Sequence, residues 1–282
     1  MTITLKQPPS PLSLYAKAAG SARRKPQGAI EIPALSTRIE NLRANPAQLK
    51  GYNAVCGFEN AETLPVTFPQ VMATGLHMFL MIQPAFPLPL LGLVHLRNSI
   101  TQQRALRVDE AYIVNVATGE SRTVRAGLEF DIVTEFSLSE EVLYRAVMTV
   151  LHRIPAPKSG KPKPEAVDSS FAEYRSFTAP ADIGRRYAMV GKDFNPIHLS
   201  AASAKLFGFK RAIAHGMWSL ARCAALLQEG QSGEPKELHV QFKQPLFLPG
   251  KVALRFRRGA QGAEFALLAS NSDKIHLSGS LR

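Results

Sequence analysis

Asp193, Asn195 and His198 share one short run, Asp193-Phe194-Asn195-Pro196-Ile197-His198, in which Pro196 restrains the backbone. A second polar cluster, Ala214-His215-Gly216-Met217, follows and opens an apolar segment of helical character. A carboxylate and an imidazole held close together can share one water and move its protons. A glycine amide at a helix start can hold a negative oxygen. Those are the parts needed to add water to a polarised double bond, or to remove it. Taken alone, Asp193 with His198 reads more readily as a capped loop with a structural ion pair, because such pairs are common. The second cluster tips the balance toward chemistry.

The elements around these residues follow from pattern and punctuation. Glu173–Phe177 is expected as a strand, Ala181–Val190 as a helix and Ala201–Leu206 as a second short helix. Gly216–Glu229 reads as an apolar helix, and Glu237–Lys243, Lys251–Arg257, Glu264–Ser270 and Ile275–Leu281 as strands. The run Ile154–Pro164, IPAPKSGKPKP, is an extended, solvated linker near the middle of the chain. Before it the same order recurs. Ile30–Ile39 is strand-like, Ala47–Val55 helix-like and Val71–Ile82 an apolar helix; Leu91–Ile100, Leu106–Val116, Arg122–Glu135 and Glu141–His152 are strand-like.

Letters rhyme as well as patterns. Tyr52-Asn53-Ala54-Val55 echoes Tyr187-Ala188-Met189-Val190, Thr74-Gly75-Leu76 echoes His215-Gly216-Met217, and Val94-His95-Leu96 echoes Leu238-His239-Val240. The first half is shorter where the second carries Asp193–His198, and offers Glu59-Asn60-Ala61-Glu62 with no histidine. A duplicated fold follows, with one working site and one degenerate copy that leaves an open groove. Each copy is an α+β unit, an antiparallel sheet wrapped around its apolar helix, and the two sheets join into one. The expected divisions are a basic arm over 1–28, the degenerate domain over 29–153, the linker over 154–170 and the catalytic domain over 171–282.

DFNPIH followed by AHGM resembles the MaoC-like, (R)-specific enoyl-CoA hydratases, which have the hot-dog fold. The whole layout resembles the double hot-dog (3R)-hydroxyacyl-thioester dehydratases. The resemblance implies that Asp193 and His198 hold and activate the water that adds to the β-carbon of a trans-2-enoyl thioester. It implies that Asn195 supports the site by hydrogen bonding and that the Gly216 amide donates to the thioester oxygen. The product would be the (R)-3-hydroxyacyl thioester, made without metal or organic cofactor. The family usually places glycine immediately before the catalytic aspartate, where this chain has Lys192; if that position needs a positive φ, the backbone must differ. A thioesterase on the same fold, or a non-catalytic acyl-thioester or carrier-binding module, are the rival readings.

Composition bounds the partners. The 282 residues carry a formal charge of +12, which suits polyanions. No zinc-finger spacing, glycine-aromatic RNA signature or basic heptad helix points to nucleic acid. A phosphate-bearing coenzyme A thioester or an acidic acyl carrier protein is the economical partner. Lys205, Lys210 and Arg211, with His215, are the candidate substrate-binding residues, although any single cation reads more readily as part of a solvated face. His215 also reads as a residue that positions the turn before its helix. The longest apolar run, Met78–Leu93, is broken by Pro84, Pro87 and Pro89, so no membrane span is expected. Two cysteines without metal or redox spacing fit a reducing compartment, and a cytoplasmic location is expected. The basic arm is expected to hold a short helix near Leu12–Ala22. Met72, Met78, Met81, Tyr187 and Cys223 are expected to pack in the core; His77, His95 and His239 are expected to be core or interface histidines. A monomer or a homodimer is compatible with a duplicated chain.

Overall fold

The structure, a computed structural model, describes residues 2–21, 24, 30–59, 62–154, 170–231 and 233–282. The expected linker lies outside the described residues between 155 and 169, as do Asn60 and Ala61 of the degenerate loop. The first half begins with β1 (Thr2–Leu5), α1 (Pro11–Ser21), β2 (Ser36–Arg43), α2 (Pro46–Cys56), α3 (Phe68–Met72) and α4 (Thr74–Ile82). It continues through β3 (Val94–Gln102), β4 (Ala111–Val124), β5 (Gly127–Leu138) and β6 (Glu141–Arg153). The second half holds β7 (Glu173–Ala179), α5 (Ile183–Gly191), α6 (Pro196–Leu199), α7 (Ala201–Lys205) and α8 (Gly216–Gln228). It closes with β8 (Glu237–Phe242), β9 (Gly250–Gly259), β10 (Gly262–Ala269) and β11 (Ile275–Leu281).

The eleven strands among the described residues form one sheet in the order β1-β2-β4-β5-β6-β3-β8-β11-β10-β9-β7. Without β1, the order runs β2-β4-β5-β6-β3 in one half and, from the other edge, β7-β9-β10-β11-β8 in the second. Each strand therefore has a counterpart at the same place in its half, which is the mark of duplication. The halves join where β3 pairs antiparallel with β8, with Arg97 opposite Gln241. Each of those residues lies two places after one of the matched histidines His95 and His239, so this pair sits on the pseudo-dyad. This is the double hot-dog architecture.

The central helices obey the same correspondence. On α8, Leu220, Cys223, Ala224 and Leu227 are fully buried, three and four residues apart, and form the apolar stripe that the sheet wraps. On α4, Leu76, Met78, Leu80 and Met81 are buried, and Met72 just before it as well. The sequence suggested one continuous helix over Val71–Ile82; the structure breaks it at Ala73, into α3 and α4. The Thr74 hydroxyl reaches back to the Gln70 carbonyl at 3.2 Å, a local bond of the kind that competes with a continuous ladder. The break lets α4 begin at Thr74-Gly75, the positional match of His215-Gly216.

Two further expectations are corrected. The strand expected from Ile30 starts only at Ser36, because Pro33 has no N–H to give a ladder. Instead, the Thr118 hydroxyl accepts from the Leu35 N–H at 2.9 Å and donates to the Pro33 carbonyl at 2.7 Å. The groove expected over the shorter first half is filled by the N-terminal arm. There α1 packs on α4 with Leu14 and Ala18, four residues apart, buried against it. A Cβ added to Gly75 would come within 2.8 Å of the Pro9 carbonyl oxygen, so only glycine lets the arm lie this close. The Arg24 guanidinium donates to the carbonyls of Ile82 and Gln83 at 2.9 and 3.0 Å, satisfying the end of α4.

Candidate active site

The site is built from short-range chemistry. Asp193 follows α5 and opens an Asx turn in which its Oδ1 accepts the Asn195 N–H at 3.0 Å. Asn195 then caps α6, its side-chain oxygen accepting from the Ile197 N–H at 3.4 Å, with Pro196 at the first helical position. That single turn delivers His198 inward, buried. Asn195 thus supports Asp193 through its main chain and His198 through its cap. Preceding the turn, Lys192 takes φ 59°, a left-handed conformation. The backbone keeps the glycine-like geometry that the sequence put in doubt, and a lysine bears its strain, about 1–2 kcal/mol.

His198 and His215 stack, with ring centroids 3.7 Å apart. His198 Nδ1 lies 2.8 Å from the Ile213 carbonyl, to which it must donate, so the lone pair is on Nε2. His215 Nε2 donates to the Asp193 carbonyl at 3.0 Å and lies 3.9 Å from Asp193 Oδ2. One nitrogen or oxygen from each of Asp193, His198 and His215 falls within 4.8 Å of the others, the spacing of groups that share one small molecule such as water. Asp193 keeps 40 % of its side-chain surface open, whereas His215 is sealed beneath it.

The electrostatics sort these groups into roles. Burial pushes the His215 imidazole down to about 3, with neighbouring His198 adding to the effect against the pull of Asp193. Burial likewise lowers His198 below its ordinary range, partly offset by Asp193 and the Ile213 carbonyl. Both are neutral at working pH. Burial works against ionising Asp193, but His215, His198, the Tyr15 hydroxyl and the Asn195 N–H outweigh it and hold the carboxyl below its ordinary value.

Gly216 is the first residue of α8, so its N–H has no acceptor within the helix. The Phe242 ring stands 3.0 Å from where a Cβ on Gly216 would be, which leaves no room for a larger residue without moving the ring. His95 packs edge-on against the same ring, with ring centroids 4.8 Å apart. From the first half, α2 supports α8 and α5. The Trp218 indole donates to the Val55 carbonyl at 3.2 Å, Gln48 to the Val190 carbonyl at 2.7 Å, and the Tyr52 and Tyr187 rings lie 6.0 Å apart. The first half is thus the platform on which α5 and α8 of the second rest.

The remaining candidates divide. Lys205, Lys210 and Arg211 are exposed, and Arg211 and Lys274 both lie over the Phe247 ring, at 5.7 and 5.5 Å. The structure does not bring these cations into the Asp193 cluster. His77 is buried on Thr134 Oγ1 at 2.8 Å, and His239 bonds Ser99 across the β3–β8 seam, also at 2.8 Å. A groove of about 600 Å³ on the sheet straddles that seam, lined by Arg97, Ser99, Thr149, His239 and Gln241, and holds no residue of the cluster. Sequence reasoning missed one residue of the site. Tyr15, on α1, donates its hydroxyl to Asp193 Oδ1 at 2.5 Å from a position 178 residues earlier. Nothing local to Asp193 signals it.

Comparison with known proteins places the chain in a family. A family model described as MaoC like domain matches residues 162–276. The chain is 33 % identical over 283 residues to 3-hydroxyacyl-thioester dehydratase X of Mycobacterium tuberculosis (strain ATCC 25618 / H37Rv), covering 99 % of each chain. The crystal structure of HtdX from Mycobacterium tuberculosis superposes with a TM-score of 0.76 at 31 % identity, over 88 % of this chain and 99 % of that one. A MaoC-like dehydratase from Phytophthora capsici shares the fold, with a TM-score of 0.72 at 16 % identity over 89 % of this chain and 95 % of the other. The double hot-dog fold and these relatives together define a hydro-lyase. The chain belongs to the MaoC-like dehydratase family.

Proposed function

We propose that the protein reversibly hydrates trans-2-enoyl thioesters to (R)-3-hydroxyacyl thioesters, carried on coenzyme A or on an acyl carrier protein. The observation that carries the reading is the cluster itself: an ionised Asp193 and a neutral His198 with its Nε2 lone pair free, within reach of one water and close in the chain to the Gly216 N–H. The relative's name, 3-hydroxyacyl-thioester dehydratase X, supports the same substrate class.

In the hydration direction the water is held between Asp193 and His198. Its oxygen forms a bond to the β-carbon as His198 Nε2 takes one of its protons. Asp193 stays ionised and steadies the imidazolium. The electron pair of the double bond moves to the thioester oxygen, where the Gly216 N–H meets the developing charge. A proton delivered to the α-carbon from the pair completes the addition, so that H and OH are added and nothing else is consumed. Dehydration is the reverse. The exposed cations Lys205, Lys210 and Arg211 are assigned to the phosphates of the carrier, and His215 to the floor that fixes Asp193 and His198.

The test is to mix the protein with crotonyl-CoA and with a longer trans-2-enoyl-CoA. The expected result is loss of the conjugated absorbance without release of free thiol, and an (R)-3-hydroxy product on chiral analysis. Thiol release would make it a thioesterase. Absence of turnover with the coenzyme A and carrier-bound substrates alike would leave a binding module.

A further inference from the structure

The tyrosine that reaches Asp193 from the far end of the chain is a built contact. Its helix is fixed on both sides: Leu14 and Ala18 are buried against α4, Pro9 lies over Gly75, and Arg24 fastens the following segment to the carbonyls of Ile82 and Gln83. At the carboxylate, Tyr15 and the Asn195 N–H both donate to Oδ1, at 2.5 and 3.0 Å. Oδ2 is the oxygen on the His215 side, 3.9 Å from its Nε2. One oxygen of the carboxylate is thereby anchored and the other is left for the reacting water.

We infer that Tyr15 is a positioning residue of the hydration site, so that the N-terminal arm completes the active site across the duplicated fold. The inference rests on the reading of Asp193 and His198 as the acid–base pair. Burial first, and then the neighbouring Asp193 charge, raise the Tyr15 hydroxyl far above its ordinary range, so it remains a donor at every working pH. A donor to the ionised form favours that form. The groups facing Asp193 are Tyr15 from α1, His198 from α6, His215 from α8 and the Asn195 N–H, with Tyr187 of α5 and His95 of β3 at longer range. Of these, only Tyr15 comes from the arm. In the Tyr15→Phe variant the ring and its packing stay and the donor goes.

The experiment is the pH profile of kcat and kcat/KM for crotonyl-CoA hydration by the full-length protein, Tyr15→Phe, Ser13→Ala and Asp193→Asn. For Tyr15→Phe we expect kcat to fall about tenfold with KM within about twofold, and the acid limb of the profile to move to higher pH. Ser13→Ala, which loses only an exposed bond to the Ser10 carbonyl just before the helix, is expected to match the parent in both respects. An unmoved acid limb with parental kcat in Tyr15→Phe overturns the inference, and so does a faster enzyme, which would make the arm an obstruction. Near-parental turnover in Asp193→Asn would instead sink the assignment of the acid–base pair. The two failures are thus told apart in one set of assays.

Discussion

Replacing Gly184 by alanine is expected to disable the site from outside it. Gly184 lies in the first turn of α5 with no unusual φ, and by helix propensity alone alanine would be better there by up to about 1 kcal/mol. The packing says the opposite. A Cβ at this position would lie 1.9 Å from the His198 carbonyl oxygen and 3.0 Å from its carbon, where ordinary contact begins at 3.4 Å. The shortfall of about 1.5 Å falls on backbone, which cannot rotate away as a side-chain tip can. Either α5 or α6 must shift, and α6 carries His198. Overpacking of this kind costs about 1–3 kcal/mol, and moving a proton-transfer group by about 1 Å costs about a hundredfold in rate. The expected outcome for Gly184→Ala is a melting temperature lowered by several degrees and kcat for enoyl thioester hydration down about a hundredfold, with little change in far-UV circular dichroism. A variant that melts at or above the parent and turns over normally would refute the claim that α5 and α6 are locked at this contact.

Other outcomes follow from the same geometry. Lys192→Gly relieves a left-handed lysine, and is expected to raise stability by up to about 1 kcal/mol with activity retained, as read from denaturant midpoints. Buried His77 is pushed down to about 3 by its burial and by His95. Below pH 6.5 the unfolded chain takes up a proton there that the native state refuses, so stability is lost as the pH falls. Between pH 7 and pH 5 this amounts to about 2 kcal/mol, and His77→Gln is expected to remove that share of the drop in stability. Since His198 and His215 are held neutral below their ordinary range, kcat/KM is expected to show no inflection near pH 6.5 and to fall only at lower pH. Such an inflection would mean that one of the two is solvated.

Much of this was legible in the sequence, for reasons that are local. Asp193 to His198 is a single turn whose Asx bond, cap and proline act between neighbours, so the constellation can be read from adjacent letters. In the first half β4 and in the second β9 carry period-two burial, and the last strand, Ile275–Leu281, has the expected bounds. What was hidden depended on distance or weakness. β1 is four residues at a sheet edge, alternately exposed and half-buried, too short for its alternation to stand out as a strand. The break at Ala73 turns on one threonine hydroxyl within an otherwise unbroken apolar run. The hold of Tyr15 on Asp193 needs the arm folded over α4, and no spacing between the two residues encodes it. The filled groove was missed for the same reason. A gap in the first half is visible in an alignment of the halves, but what occupies it is set by Gly75 and the apolar face of α1.

Chain geometry also explains what the first half contributes to the candidate site. Val55 and Cys56 of α2 accept from Trp218 and Arg222 of α8, and Tyr52 packs on Tyr187 just ahead of the Asp193 turn. The first half has no aspartate–histidine turn of its own, yet it supports the helix that presents Gly216 and supplies the arm that reaches Asp193. Division of labour between the halves follows from that arrangement.

The most direct test of the account is the initial rate of trans-2-enoyl-CoA hydration by the parent, Asp193→Asn and His198→Ala, each first shown to be folded by circular dichroism and melting. The account predicts turnover by the parent to the (R)-3-hydroxyacyl product and a loss of about a hundredfold or more in each variant, because each removes one of the two groups that hold the water. Folded variants that turn over at close to the parental rate would contradict it.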